Sequence, residues 1–273
     1  MKQTVKMVIK NTIFVICGVI MIMSGYFVYS RIMEPETARN VATSRSERVS
    51  SYIEDDGIDK NLLRRIDFTT LQQENNEVSR WLYVPDTAID DVVMQESVVG
   101  QYAYDKRDMY HTYNRSGSYL IPATPLNEYG ESSVDAHTLI LGHRMNSSNG
   151  EWQFSHVPSR WGTYDGSINY PYIYVYYPDR AERWRVWAAA DTFGNDMMYQ
   201  TPYRLGSDIY GTLLDHIEAQ AHYTTMDKPN RETKTLILST CHNFHLDDGR
   251  FYVASVPDMT YYYDTKTLDV FLT

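Results

Sequence analysis

Residues Lys234 to Val256 read Lys-Thr-Leu-Ile-Leu-Ser-Thr-Cys-His-Asn-Phe-His-Leu-Asp-Asp-Gly-Arg-Phe-Tyr-Val-Ala-Ser-Val. The first part alternates with a period of two. Leu236 and Leu238 fall on one face, and Thr235, Ile237 and Ser239 on the other, as in a β-strand. Phe251 to Val256 is again aromatic and β-branched. Between them, His242 to Gly249 carries Asn, two Asp and Gly, which is turn chemistry. The stretch therefore predicts two strands joined by a short polar loop. Cys241 ends the first and Arg250 starts the second, so pairing would set a thiol and a guanidinium at one end of a sheet.

That pair suits acyl transfer. A thiol is a strong nucleophile only as thiolate, and a nearby cation favours that form. A guanidinium keeps its charge at any working pH and can hold a developing oxyanion. The part still required is an acid/base for the leaving amine, a role usually taken by histidine. His137-Thr-Leu-Ile-Leu-Gly-His143-Arg-Met145 offers one. Thr138 to Leu141 is a further strand-like run, and Gly142 breaks it. His143 thus stands at another strand end, 98 residues before Cys241. Only the fold can join them. Two other uses of the local histidines stay open. His242 could serve as the acid/base, although neighbours on a strand end point apart. Cys241, His242, His245 and His143 could converge on zinc, although no standard zinc spacing is present and Arg250 would oppose a dication. The expectation is no metal.

Leu-Ser-Thr-Cys241, Arg250 nine residues later and the upstream Leu-Gly-His143 together resemble the sortases, most closely class B. The similarity spans about Trp81 to Val256. It implies a mainly β, closed barrel with peripheral helices. It implies Cys241 as nucleophile, His143 as acid/base and Arg250 as transition-state stabiliser, with Thr240 and Ser239 at the substrate. No cofactor is implied. Trp81 to Gln95 resembles the first class B hairpin, with Pro85-Asp86-Thr87 in the turn and Asp91-Val92 where the family has Tyr-Pro. Tyr170 stands where the family often has His.

Composition agrees with a globular, β-rich chain: 273 residues, 43% hydrophobic, 24 of them Tyr. One membrane segment and one domain of roughly 200 residues fit this length. The net charge is −10. The first 30 residues hold Lys2, Lys6, Lys10 and no acid, so the rest has 22 basic residues against 35 acidic, a net −13. Such a surface repels phosphates and argues against nucleic acid as a partner. Of the two cysteines, Cys17 lies in the apolar N-terminal run, so Cys241 has no disulfide partner in the globular part.

Residues 1–11 read as a basic cytoplasmic tail and 12–30 as a transmembrane anchor. Thr12 to Tyr29 is 18 residues without charge, about 27 Å as a helix, close to the ~30 Å hydrocarbon core. The preceding lysines keep the N-terminus inside and the domain outside. A cleaved signal peptide is the alternative, though no small-x-small site follows. Residues 31–57 read as a stalk and 58–273 as the catalytic domain.

Within that domain, Ile58 to Val78 reads as a helix packed on the barrel, Val99 to Tyr113 as an exposed loop with a helical turn, and Ser118 to Pro122 as a strand. Ala123 to Asp135 reads as a loop, Asn146 to Gly150 as a turn and Glu151 to Trp161 as a short helix. Tyr170 to Pro178 and Arg183 to Phe193 read as strands. In the connection from Gly194 to Thr233, Ser207 caps a helix running to about His222, with Ile209, Leu213, Ile217 and Ala221 as its apolar stripe; class B relatives carry a helix here. Asp247 and Asp248 hydrate the loop or pair with Arg250.

The resemblance implies a membrane-anchored extracellular transpeptidase of the Gram-positive cell surface. Its partners would be surface proteins bearing a C-terminal sorting signal and an amine acceptor, either a cell-wall peptide or a pilin lysine. A cysteine peptidase and an inactive binding ectodomain are the rival readings.

Overall fold

The two strands expected from Lys234 to Val256 are present and paired, and the chain closes around them. The computed structural model describes residues 2–55, 57–124, 136–147, 150–200, 202–241 and 248–271. In chain order the elements are α1 (Lys2–Val49), β1 (Ser50–Tyr52), β2 (Arg64–Ile66), α2 (Phe68–Glu74), β3 (Val78–Tyr83), β4 (Asp90–Gln95), β5 (Tyr119–Ile121), β6 (His137–Gly142), β7 (Arg144–Ser147), β8 (Gly150–Gln153), α3 (His156–Trp161), α4 (Tyr164–Asn169), β9 (Tyr172–Tyr176), β10 (Arg180–Phe193), α5 (Asp208–Gln220), β11 (Tyr223–Thr224), β12 (Thr235–Cys241), β13 (Gly249–Tyr262) and β14 (Thr267–Val270).

Strands run β10-β9-β3-β4-β5-β6-β12-β13, and β13 pairs back onto β10. Eight strands thus close a barrel, the size whose interior side chains just fill. Every barrel strand contributes to that interior: Leu82, Val93, Ile121, Ile140, Val175, Val186, Leu238 and Val253 among them. The alternation read in β12 is realised. Leu236 and Leu238 enter the barrel, while Ile237 faces out and packs with Trp187, Leu213 and Ile217 under α5. β6 and β12 are parallel, which demands a long crossover, and residues 143–234 supply it.

Several sequence expectations change. Ile58 to Val78 is not one helix. Arg64–Ile66 pairs with Ser50–Tyr52, and α2 starts only where Asp67 accepts a hydrogen bond from the Thr70 amide at 3.0 Å. Arg64 explains the break. Its guanidinium is buried beside the rings of Trp81, Tyr83 and Tyr176 and pairs with Asp90 at 2.7 Å. Val99 to Tyr113 is not simply exposed, since Tyr104 and Met109 are fully buried. Glu151 to Trp161 begins as the β7–β8 hairpin, and its helix starts at His156. Ser207 does cap α5, accepting from the Tyr210 amide at 3.3 Å. The buried stripe, however, is Tyr210, Leu213, Leu214 and Ile217, with Ile209 exposed. A strict four-residue step drifts off a 3.6-residue face, which is why Ile209 leaves it. Most of the loop expected from Ala123 to Asp135 lies outside the described residues.

The N-terminal helix α1 runs unbroken from Lys2 to Val49, through Pro35. In its apolar first half Phe14 and Ile22, for example, are exposed. It is one helix long and apolar enough to cross a membrane. Beyond Glu34, within the segment expected as a stalk, the helix continues and docks on the barrel. Ala42, Arg45 and Val49 are buried, Arg45 pairs with Asp91 at 2.5 Å, and Ser46 donates to Asp90 at 2.6 Å.

Candidate active site

Three adjacent strands, β6, β12 and β13, carry the three residues singled out in the sequence to one end of the barrel. Parallel pairing sets Gly142 opposite Thr240. Antiparallel pairing sets Cys241 opposite Arg250. His143 follows Gly142 directly. A cleft of about 390 Å³ opens there, lined by Tyr102, Asp105, Leu120, Leu141, His143, Thr240 and Arg250 among others. The backbone of Cys241 is described; His242 to Asp247, with both histidines considered as alternatives, lie outside the described residues. Among the described residues no group of three metal-ligating side chains comes together.

β6 must end in glycine. A Cβ on Gly142 would stand 2.8 Å from the buried ring of Phe154, so the strand can reach the cleft only without a side chain there. His143 is mostly buried, and its Nε2 lies 2.6 Å from the Asp105 carbonyl oxygen and 3.1 Å from Asp105 Oδ1. A carbonyl can only accept, so Nε2 carries a proton. The hydrogen bond to the Asp105 side chain raises the His143 pKa above its ordinary value, against an opposing effect of burial. The same bond holds the Asp105 carboxyl below the usual range, with a smaller contribution from the Arg250 charge.

Asp105 is placed by its neighbours. The Tyr104 amide donates to Glu96 at 2.9 Å, and the Tyr104 hydroxyl donates to Glu77 at 2.5 Å and accepts from Asn75 at 2.7 Å. Gly117, at φ +58°, lies so close that a Cβ would be 2.3 Å from the Asp105 carbonyl oxygen. Sequence reasoning missed Asp105. The signal available was a glycine in a polar loop, and it does not say what approaches it.

Arg250 is partly buried. Its Nη2 pairs with Asp248 Oδ1 at 3.1 Å, one of the two uses expected of that carboxylate. Asp248 fits against Gly194, where a Cβ would be 2.5 Å from Oδ1, and the Gly194 amide donates to the Asp248 carbonyl at 3.1 Å. Each cation of the cleft thus has a carboxylate. Of the two residues implied at the substrate, Ser239 is buried with its hydroxyl 2.6 Å from that of Tyr199. Thr240 is buried at the cleft with Oγ1 lacking a partner among the described residues.

The barrel and its peripheral helices are the fold of the sortases. Among solved structures the chain is similar to sortase B from Bacillus anthracis in complex with AAEK1, at TM-score 0.62 and 20% identity, over 82% of this chain and 98% of that one. A Bacillus anthracis protein similar to sortase B matches at TM-score 0.62 and 22% identity, over 81% and 96%. The Staphylococcus aureus sortase B–substrate complex matches at 0.57 and 18%, over 70% and 83%. No protein-family model matches the sequence, and no curated protein matches it significantly.

Proposed function

We propose that the chain is a sortase-type cysteine transpeptidase of class B character, with Cys241, His143 and Arg250 as its working residues. The observation that carries this reading is the strand register: Cys241 faces Arg250 across β12–β13, and β6 delivers His143 to the same strand end. The Cys241 thiolate attacks the carbonyl of a threonine-like residue in a C-terminal sorting signal. Arg250 steadies the oxyanion, and the peptide C–N bond breaks as His143 passes its proton to the departing amine. The product is a thioester. An acceptor amine attacks it and loses a proton to His143, and the thiolate leaves, so the enzyme returns to its starting state. The raised pKa of His143 supports the acid half of that cycle.

The apolar half of α1 supports membrane anchorage, and the lysines before it support a cytoplasmic N-terminus with the barrel outside. The acceptor class is a cell-wall peptide or a pilin lysine. The test is mass spectrometry of products from a peptide library, with and without added amine. Amine-extended peptides are expected. Hydrolysis alone, unaffected by amine, would make the chain a cysteine peptidase, and an intact library would leave a binding domain.

A further inference from the structure

Resting on the reading of His143 as the acid/base, we propose that Asp105 is its positioning carboxylate, which grips Nε2–H and leaves Nδ1 to carry the mobile proton.

The geometry is a two-point hold. One residue presents both its carbonyl oxygen, at 2.6 Å, and its carboxylate, at 3.1 Å, to a single ring nitrogen. One contact would leave the ring free to swing about it; two oxygens flanking the same N–H define the plane in which it lies. With Nε2 committed, proton exchange falls to the other nitrogen. This is the division of labour in Ser-His-Asp sites, where the carboxylate orients one imidazole nitrogen and the other exchanges protons with nucleophile and leaving group.

The loop is built for that hold. Tyr104, one residue before, is fully buried and tied to Asn75, Glu77 and Glu96. Gly117 lets the chain pass against the Asp105 carbonyl, and the Ser118 amide donates to the Tyr104 carbonyl at 3.0 Å. A chance surface contact would not need an anchor on one side and a glycine notch on the other. Among the described residues the other charges facing the pair are few. Lys106 disfavours the imidazolium. Arg250 favours the Asp105 carboxylate from across the cleft and carries its own counter-charge, Asp248.

The test uses the full-length chain in nanodiscs. In D105N the carboxylate charge is gone but the size and the backbone carbonyl remain. The high-pH limb of kcat/KM, where the protonated acid is lost, should move to lower pH. The rate above that limb should fall about tenfold, well short of the ~10²–10⁴ that a general acid supplies, with KM nearly unchanged. D105E should restore part of the loss. An unmoved limb in D105N would overturn the proposal. A second readout needs no turnover: ¹⁵N-histidine NMR of C241A, with His143 assigned through H143Q. The neutral ring should be the Nε2–H tautomer and its titration should shift down in D105N; an Nδ1–H tautomer overturns the proposal. Because that spectrum is read without substrate, it judges Asp105 even if no transpeptidase activity is found.

Discussion

Arg250 and His143 face the same cleft, and each is held by a carboxylate, but the two partnerships are built differently. Asp248 lies two residues before Arg250, in the turn that leads into β13, and the contact is a side chain on a side chain at 3.1 Å. Asp105 lies 38 residues from His143 on a loop of its own, and it binds with backbone and side chain together. The first pair forms wherever β13 forms. The second requires β3, β4, β5 and β6 to be assembled before its members meet. In the proposed cycle, local chemistry secures the cation that only has to stay charged, and tertiary structure secures the one that has to change charge and keep its orientation.

Substitutions can break this contrast, beginning with the proposed nucleophile. Cys241→Ala should fold normally and lose all turnover, and a thiol-alkylating reagent should abolish activity in the parent; residual turnover in that variant would remove the mechanism. Next comes Arg250. Loss of one oxyanion donor costs on the order of 10²–10³ in rate. Arg250→Lys keeps charge but not the planar fork and should lose most of that, with Arg250→Ala losing at least as much in steady-state assays. Arg144→Ala, beside His143 in sequence, should lose under about tenfold; if Arg144 proved the severe site, the roles given to the two arginines would be wrong.

The two glycine notches sharpen the contrast further. A methyl at Gly117 would meet backbone 2.3 Å away at a positive φ, with no way to relax except by moving Asp105. A methyl at Gly194 would meet the tip of the Asp248 carboxylate, which can swing aside. Gly117→Ala should therefore lower both the melting temperature and the rate, and Gly194→Ala should change either only slightly. Equal effects in calorimetry and rate would mean that the two carboxylates are held alike.

The smallest effect concerns stability. The raised His143 pKa gives stability that is full below about 6.5 and fades as pH rises through the folded value. The lowered Asp105 pKa gives stability present above about 3.8 and lost as pH falls through its folded value. The pair thus stabilises most between those limits. Both groups are partly exposed, so the contribution is about 0–1 kcal/mol. Thermal melts of D105N and the parent should nearly coincide across this range, and a large gap at pH 5 would show that the pair is chiefly structural.

What the sequence disclosed follows the same division. Leu236, Leu238 and Ile237 declared their faces, Ser207 its cap, and Cys241 and Arg250 their adjacency, because each depends on neighbours within a few residues. Arg64 and Tyr104 were opaque. A polar head on a long side chain gives no local sign that Trp81, Tyr83 and Tyr176 will enclose it. Nor does a tyrosine in a charged stretch announce partners at Asn75, Glu77 and Glu96. His143 was legible by its strand end; the residue that holds it was not.

The unbroken helix α1 has a mechanical consequence. From Ser30, the last residue of the uncharged run, to Glu34, whose carboxylate accepts from the Arg115 amide at 3.1 Å, is four residues of continuous helix, about 6 Å of rise. With the proposed anchorage, the barrel rides on a mast rather than a tether. A flexible leash would let the cleft sample a hemisphere above the bilayer, whereas a mast confines it to one altitude and leaves it to sweep by lateral diffusion. Under the proposed activity, a substrate peptide must be presented within that thin layer, so distance from the membrane becomes a selection rule that acts before side-chain recognition begins.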